Sequence, residues 1–166
     1  MNVEILYPFL GLPITSLDLQ AAFTALGFDL SDELELPEDD YRAYIERPSG
    51  GVSFAFTDEA WFLGIDDQPM GVGPLFFNTI FFYSDGADRY AQYRHALPFG
   101  LAFSDDTGSA RKKLGEPEWV RHTDDGRVAA ERWEVDANCR LHATYALSGR
   151  LHILIYSWPD AHLRKS

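Results

Sequence analysis

In the stretch LDLQAAFTAL, residues 17–26, the apolar side chains Leu19, Ala22, Phe23 and Leu26 recur at helical spacing and share one face. Thr15 or Ser16 offers an N-cap hydroxyl, and Gly27 stands where a helix stop belongs. A second helix is predicted over TGSARKKL, residues 107–114. Ser104 or Asp105 opens it, Gly115-Glu116-Pro117 ends it, and Ala110, Lys113 and Leu114 form its seam. Both helices are short. Helices of this length are marginal in isolation and need a sheet to pack on.

Between and after them the period changes to two or to short apolar runs bounded by turn residues, which predicts strands. The first group covers 41–47, 52–57 and 75–83, with the turn PSGG at 48–51. The second covers 119–122, 127–135, 139–147 and 151–158. Asp125-Gly126 and Ser148-Gly149 read as two-residue hairpin turns, and 136–138 as another turn.

The two helix starts also match each other at an offset of 88. Ser16 falls on Ser104, Asp18 on Asp106, Ala22 on Ala110, and Leu26-Gly27 on Leu114-Gly115. The expected fold class is therefore α+β, as two tandem repeats, each a short helix followed by an antiparallel meander sheet. Residues 1–88 would form the first repeat and 89–166 the second.

Charge divides the chain unevenly. The formal net charge is -12, and residues 1–88 carry sixteen acidic side chains against two basic ones, Arg42 and Arg47. Such a half is a poor nucleic-acid binder, because phosphate contacts need Lys and Arg. It suits a basic protein partner. Apolar residues, at 46%, are sufficient for a core. No apolar stretch approaches a membrane span, and the first residues lack the pattern of a secretory signal, so the expected location is cytoplasmic.

Two segments fall outside the repeat. The run FDLSDELELPEDD, residues 28–40, holds seven acids and reads as a loop. Residues 61–73, WFLGIDDQPMGVG, read as a second loop exposing Trp61, Asp66, Asp67 and Met70. The acidic run is either a solvated face or an electrostatic footprint for a basic protein. Its concentration in one half and the aromatics beside it in sequence favour the footprint. The candidate partner-binding residues are Asp29, Asp32, Glu33, Glu35, Glu38, Asp39, Asp40, Tyr41, Tyr44 and Trp61. Acidic rims around aromatic anchors are a feature of tight protein interfaces.

Catalytic and metal motifs are missing from the sequence. Cys139 is the only cysteine, which excludes an internal disulfide and a cysteine metal site. SDDTGSARKK lacks the spaced glycines of a phosphate loop. His142 and His152 lie in the last predicted hairpin. With a two-residue turn at Ser148-Gly149 they fall on opposite faces, which argues against a shared metal. The expectation is no metal, no cofactor and no enzymatic activity.

At LPFGLAFSDDTGSARKKLGEP the chain resembles a pattern of small bacterial proteins. In that pattern Pro-Phe-Gly-Leu-x-Phe-Ser/Gly-Asp leads into a helix ending Leu-Gly-x-Pro. It is associated with immunity proteins encoded beside secreted antibacterial toxins. The helix-then-meander order is also similar to that of the beta-lactamase inhibitor protein and the small outer-membrane assembly lipoproteins, whose tandem repeats bind a partner protein. This chain departs from them in having no signal peptide, no lipidation cysteine near its start and no cysteine pairs. The resemblance implies an immunity protein that binds a cognate toxin and occludes its active site. A small enzyme or ligand-binding domain with a pocket between the sheets, and an adaptor of a secretion cluster, are the alternatives.

Overall fold

The computed structural model describes residues 1–164. Seven strands form one antiparallel sheet: β1 (Arg42–Arg47), β2 (Val52–Thr57), β3 (Phe76–Tyr83), β4 (Trp119–His122), β5 (Val128–Glu134), β6 (Arg140–Tyr145) and β7 (Leu151–Ser157). Their order in the sheet is β1-β2-β3-β7-β6-β5-β4. Five helices accompany them: α1 (Leu17–Ala25), α2 (Leu30–Glu33), α3 (Glu59–Leu63), α4 (Thr107–Leu114) and α5 (Ala161–Arg164). The fold class is α+β. Helices α1 and α2 precede β1, α3 lies between β2 and β3, α4 precedes β4–β7, and α5 follows β7.

The chain folds into two compact units whose borders differ from residues 1–88 and 89–166. The first contains Met1–Glu46, Ser53–Ile80 and Ser157–Ser166; the second contains Arg47–Val52 and Phe81–Tyr156. Strand β3 passes from one unit into the other, and the chain returns to the first unit after β7. The first unit holds fifteen acidic and three basic residues, and the second eleven of each.

In the first unit Ser16 caps α1, its hydroxyl accepting from the Leu19 N–H at 3.3 Å. Leu19 and Phe23 are the fully buried residues of that helix. The Phe23 ring meets Phe54 at 5.4 Å, Phe77 at 5.1 Å and Phe28 at 5.7 Å, all edge-to-face. Edge-to-face pairs of this kind add about 1 kcal/mol each beyond the area they bury. Strand β2 is buried at every position, its polar Ser53 and Thr57 included, and the Thr57 hydroxyl donates to Asn78 Oδ1 at 3.0 Å.

The second unit corrects several details of the sequence reading. The N-cap of α4 is Asp106 rather than Ser104 or Asp105. Its carboxylate accepts from the Ser109 N–H at 2.9 Å, and the Ser109 hydroxyl accepts from the Asp106 N–H at 2.9 Å. Asp105 turns inward and is 6% exposed. Its carboxylate accepts from the Ala102 N–H and from Lys113 Nζ, both at 2.8 Å. The seam of α4 is narrower than the spacing suggests, with Ala110 its one buried residue. Arg111 and Lys113 reach past it to buried carboxylates. Glu131 is fully buried; it takes Arg111 Nη2 at 2.6 Å, Arg111 Nε at 2.7 Å and the Tyr145 hydroxyl at 3.0 Å. Trp133 Nε1 donates to the Gly115 carbonyl at 2.9 Å and fixes the far end of α4.

The hairpin turns hold three residues rather than two. Thr123 pairs with Arg127 and Ala146 with Arg150 through N–H to carbonyl bonds of 2.7 and 2.9 Å. Gly126 and Gly149 occupy the left-handed position that closes such loops, at φ 85° and 83°. The longer turn shifts the β6–β7 register by one residue. The assumed pairing of Leu147 with Arg150 is therefore absent, and the opposite-face argument for His142 and His152 falls with it. The two imidazoles nonetheless have separate neighbours. His142 lies 5.5 Å from the Trp119 ring, and His152 Nδ1 lies 3.3 Å from Ser84 Oγ. Burial among its neighbours, aided by Arg132 and Arg121, holds the His142 pKa below the usual histidine range. Among the described residues no group of three His, Cys, Asp or Glu side chains is placed to hold a metal ion. No described helix is long and apolar enough to cross a membrane.

Two stability predictions follow from the charges around α4. Arg111→Met leaves Glu131 buried without its cation and should cost about 3 kcal/mol in urea unfolding. The double variant Arg111→Met, Glu131→Gln, which keeps an acceptor for Tyr145, should recover much of that loss. For Asp105, burial pushes the carboxyl pKa up, but Lys113 and the Ala102 N–H outweigh it and hold the pKa below the usual value. A lowered folded-state pKa gives stability that is present above about pH 4. That stability is lost as the pH falls through the folded value. Asp105→Asn should therefore be less stable at pH 7 and should lose less of its stability than the parent between pH 5 and 2.

Candidate functional site

The acidic segment is not one continuous loop. Asp29 caps α2, its Oδ1 accepting from the Ser31 N–H at 3.0 Å. The Ser31 hydroxyl donates to the same oxygen, and this bond is the main reason the Asp29 pKa lies below the usual range. Phe28 and Leu30 are buried. The segment is thus pinned by two apolar anchors while its acids face solvent. Asp32, Glu33, Glu35, Glu38 and Asp39 are exposed, and Asp40 is half-buried. Asp39 takes a left-handed conformation at φ 60°. Asp40 Oδ1 accepts from the Tyr41 and Arg42 N–H groups at 2.7 and 3.1 Å, which starts β1.

Residues 61–73 also differ from a plain loop, because Trp61 belongs to α3. Asp58, buried at 1% exposure, opens that helix. Its Oδ2 accepts from the Trp61 N–H at 3.3 Å, and its Oδ1 from the Gly71 N–H at 2.7 Å. A single carboxylate thus fastens both the helix and the turn that follows it. Gln68 Nε2 donates to Glu59 Oε1 at 3.1 Å and secures the loop at another point.

The structure brings Tyr41 and Trp61 together. Their rings stack with centroids 4.3 Å apart and planes inclined by 27°. The other neighbour of Trp61 is the His162 ring, 4.5 Å away. His162 was not foreseen as part of this surface, because no local pattern announces that α5 returns here. Arg42 lies over the Tyr41 ring at 5.5 Å, and its Nη2 donates to Asp160 Oδ2 at 3.3 Å. Asp160 is itself buried at 1% and caps α5 through the Leu163 N–H. Tyr44 is 48% exposed on the outward side of β1, which alternates with the buried Ala43 and Ile45. The acidic positions and the Tyr41–Trp61 pair lie in one unit.

Met70 is 49% exposed, as the sequence suggests, and the same region exposes apolar side chains that the sequence did not single out. Leu63, Val72 and Leu163 are 49%, 68% and 46% exposed. Gly71 approaches the Leu36 side chain, so this apolar turn abuts the acidic segment. These exposed aromatic and aliphatic groups belong to the same compact unit as Glu35, Glu38, Asp39, Glu59, Asp66 and Asp67. Comparison of the chain with protein-family models, with curated proteins and with solved structures finds no match.

Asp58→Ala should free both the Trp61 and the Gly71 N–H groups. It should cost about 2 kcal/mol in urea unfolding. Limited proteolysis should then cut residues 64–74 sooner than in the parent, before other segments.

Proposed function

We propose that this protein is an immunity-type inhibitor that binds a basic protein toxin through the acidic face of its first unit and covers the toxin's active site. The observation that carries the reading is that exposed apolar groups, Leu63, Met70 and Val72, occur in the same compact unit as the exposed acids of residues 29–40. Interfaces draw affinity from a desolvated apolar centre and approach rate from long-range charge. Both parts are present here in one compact unit. Fifteen acids against three bases in that unit match a cationic cleft of the kind found in enzymes that act on nucleic acid. The motif resemblance to immunity proteins points the same way.

The stacking of Trp61 changes what the aromatic group contributes. Tyr41 and His162 both lie against it, so it offers a partner mainly its edge. Its part is to fix α3, and the neighbouring Leu63 and Met70 supply the contact. Rigid placement before binding reduces the entropy lost on association.

The test is binding kinetics with the product of a toxin gene adjacent to this one, across salt concentrations. Neutralising the rim with Glu35→Gln, Asp39→Asn and Asp40→Asn together should slow association about tenfold at low salt, with little change in dissociation. Met70→Ala with Leu63→Ala should instead speed dissociation, by about 2 kcal/mol or more in complex stability. Association that ignores salt, together with full protection of cells by the rim variant, would mean the acids are only a solvated face.

A further inference from the structure

The second unit carries a cleft of about 660 Å³ that the proposed interface does not use. Its walls come from three separate stretches of chain: the segment after β3, the turn before α4, and the β6–β7 hairpin. Ser84, Ser104, Arg150 and His152 supply the polar groups, and Phe103 and Leu151 the apolar wall. All of them belong to the second compact unit.

The polar groups are held in an arrangement that suits an anion. The Ser84 N–H donates to the His152 carbonyl at 2.9 Å, which locks the two backbones side by side. Ser84 Oγ then lies 3.3 Å from His152 Nδ1. This contact engages one of the two ring nitrogens. Arg150, at the end of the β6–β7 turn, lines the same cleft. Its Nη1 rests against the Ser104 carbonyl at a long 3.5 Å, so most of its five N–H donors are uncommitted. Arg150, His152, Ser84 and Ser104 thus line one cleft from three separate stretches of chain. A planar carboxylate is satisfied by one arginine fork. Donors spread in space suit a tetrahedral group with several acceptor oxygens. The volume exceeds what inorganic phosphate needs and falls in the range of small-molecule sites. Phe103 lines the cleft and supplies surface for an apolar body. Asp85 also lines the cleft and would repel a bare anion at that position, while accepting from a hydroxyl.

We infer that this cleft binds a phosphate monoester with an apolar or aromatic body, its phosphoryl group held by Arg150, His152, Ser84 and Ser104. An anion approaching a chain of net charge -12 meets long-range repulsion. The affinity must then come from these short-range donors, which makes it sensitive to each of them.

The experiment is a titration of the full chain with phenyl phosphate, followed by backbone amide NMR at low salt, with benzyl alcohol and benzoate run in parallel. Saturable shifts at Ser84, Phe103, Ser104, Arg150 and His152 are expected for phenyl phosphate, with a dissociation constant below about 1 mM. Benzyl alcohol should give none, and benzoate should bind at least about tenfold more weakly. Arg150→Gln should weaken phenyl phosphate binding about tenfold or more, the loss of a charge-assisted bond. Ser84→Ala and His152→Gln provide independent variants, each first shown to keep the parent's dispersed spectrum. The inference is overturned if phenyl phosphate gives no saturable shifts, if benzoate binds equally well, or if the well-folded variants bind as tightly as the parent. None of these outcomes touches the toxin-binding face, which lies in the first unit.

Discussion

A carboxylate loses its water on burial and must find donors to replace it. Asp58, Asp105, Glu131 and Asp160 are all nine-tenths buried or more, and each meets that condition by fastening a short helix. Asp58 opens α3, and Asp160 opens α5 while holding Arg42. Asp105 and Glu131 take two of the three cations of α4, Lys113 and Arg111. These helices have four to eight residues, too few to persist without tertiary support. Charged and backbone hydrogen bonds therefore fix the positions of these helices, and so this part of the fold depends on its buried carboxylates keeping their donors.

That dependence gives the many acids of this chain two distinct duties. The buried four act inward, each with an assigned set of donors. Those of residues 29–40 act outward, anchored by Phe28 and Leu30 beneath them. Removing a buried one disturbs a helix; among the outer ones Asp29 and Asp40 also hold backbone N–H groups, while Asp32, Glu35, Glu38 and Asp39 face solvent. Trp61 stacks on Tyr41 and meets the tilted His162 ring. Trp61 and His162 stand on α3 and α5, which the buried carboxylates hold.

Much of the sheet was legible because its signals are local. The predicted range 52–57 matches β2, 119–122 matches β4, and the remaining strands differ by a few residues at their ends. What escaped was set by context. The Asp106 cap lost to Ser104 and Asp105 in the sequence reading, since all three residues can cap and only burial draws Asp105 inward. The two glycine turns show their glycines but not their lengths, and one extra residue was enough to overturn the face assignment of two histidines. Helix α3 was taken for loop because five residues carry almost no periodicity, although Asp58 three positions before Trp61 is a recognisable cap. The Tyr41–Trp61–His162 stack joins residues up to 121 positions apart, and no pattern along the chain encodes that meeting. The tandem repeat was inferred from matched helix starts, and the structure shares the helix-then-strands order while drawing its compact units elsewhere.

The return of residues 157–164 to the first unit has a consequence for biosynthesis. A ribosome delivers α1, the acidic segment, β1 and α3 well before it delivers Trp158, Asp160 and His162. Until then Arg42 lacks the carboxylate it pairs with, Trp61 lacks one of its stacking neighbours, and Gly11 lacks the indole that packs against it. The second unit, apart from residues 47–52, is a single continuous run of chain. It can therefore fold as soon as it emerges, while the first unit waits for its last segment. The surface proposed to meet the toxin is thus finished last, and an unfinished chain should be unable to commit to its partner.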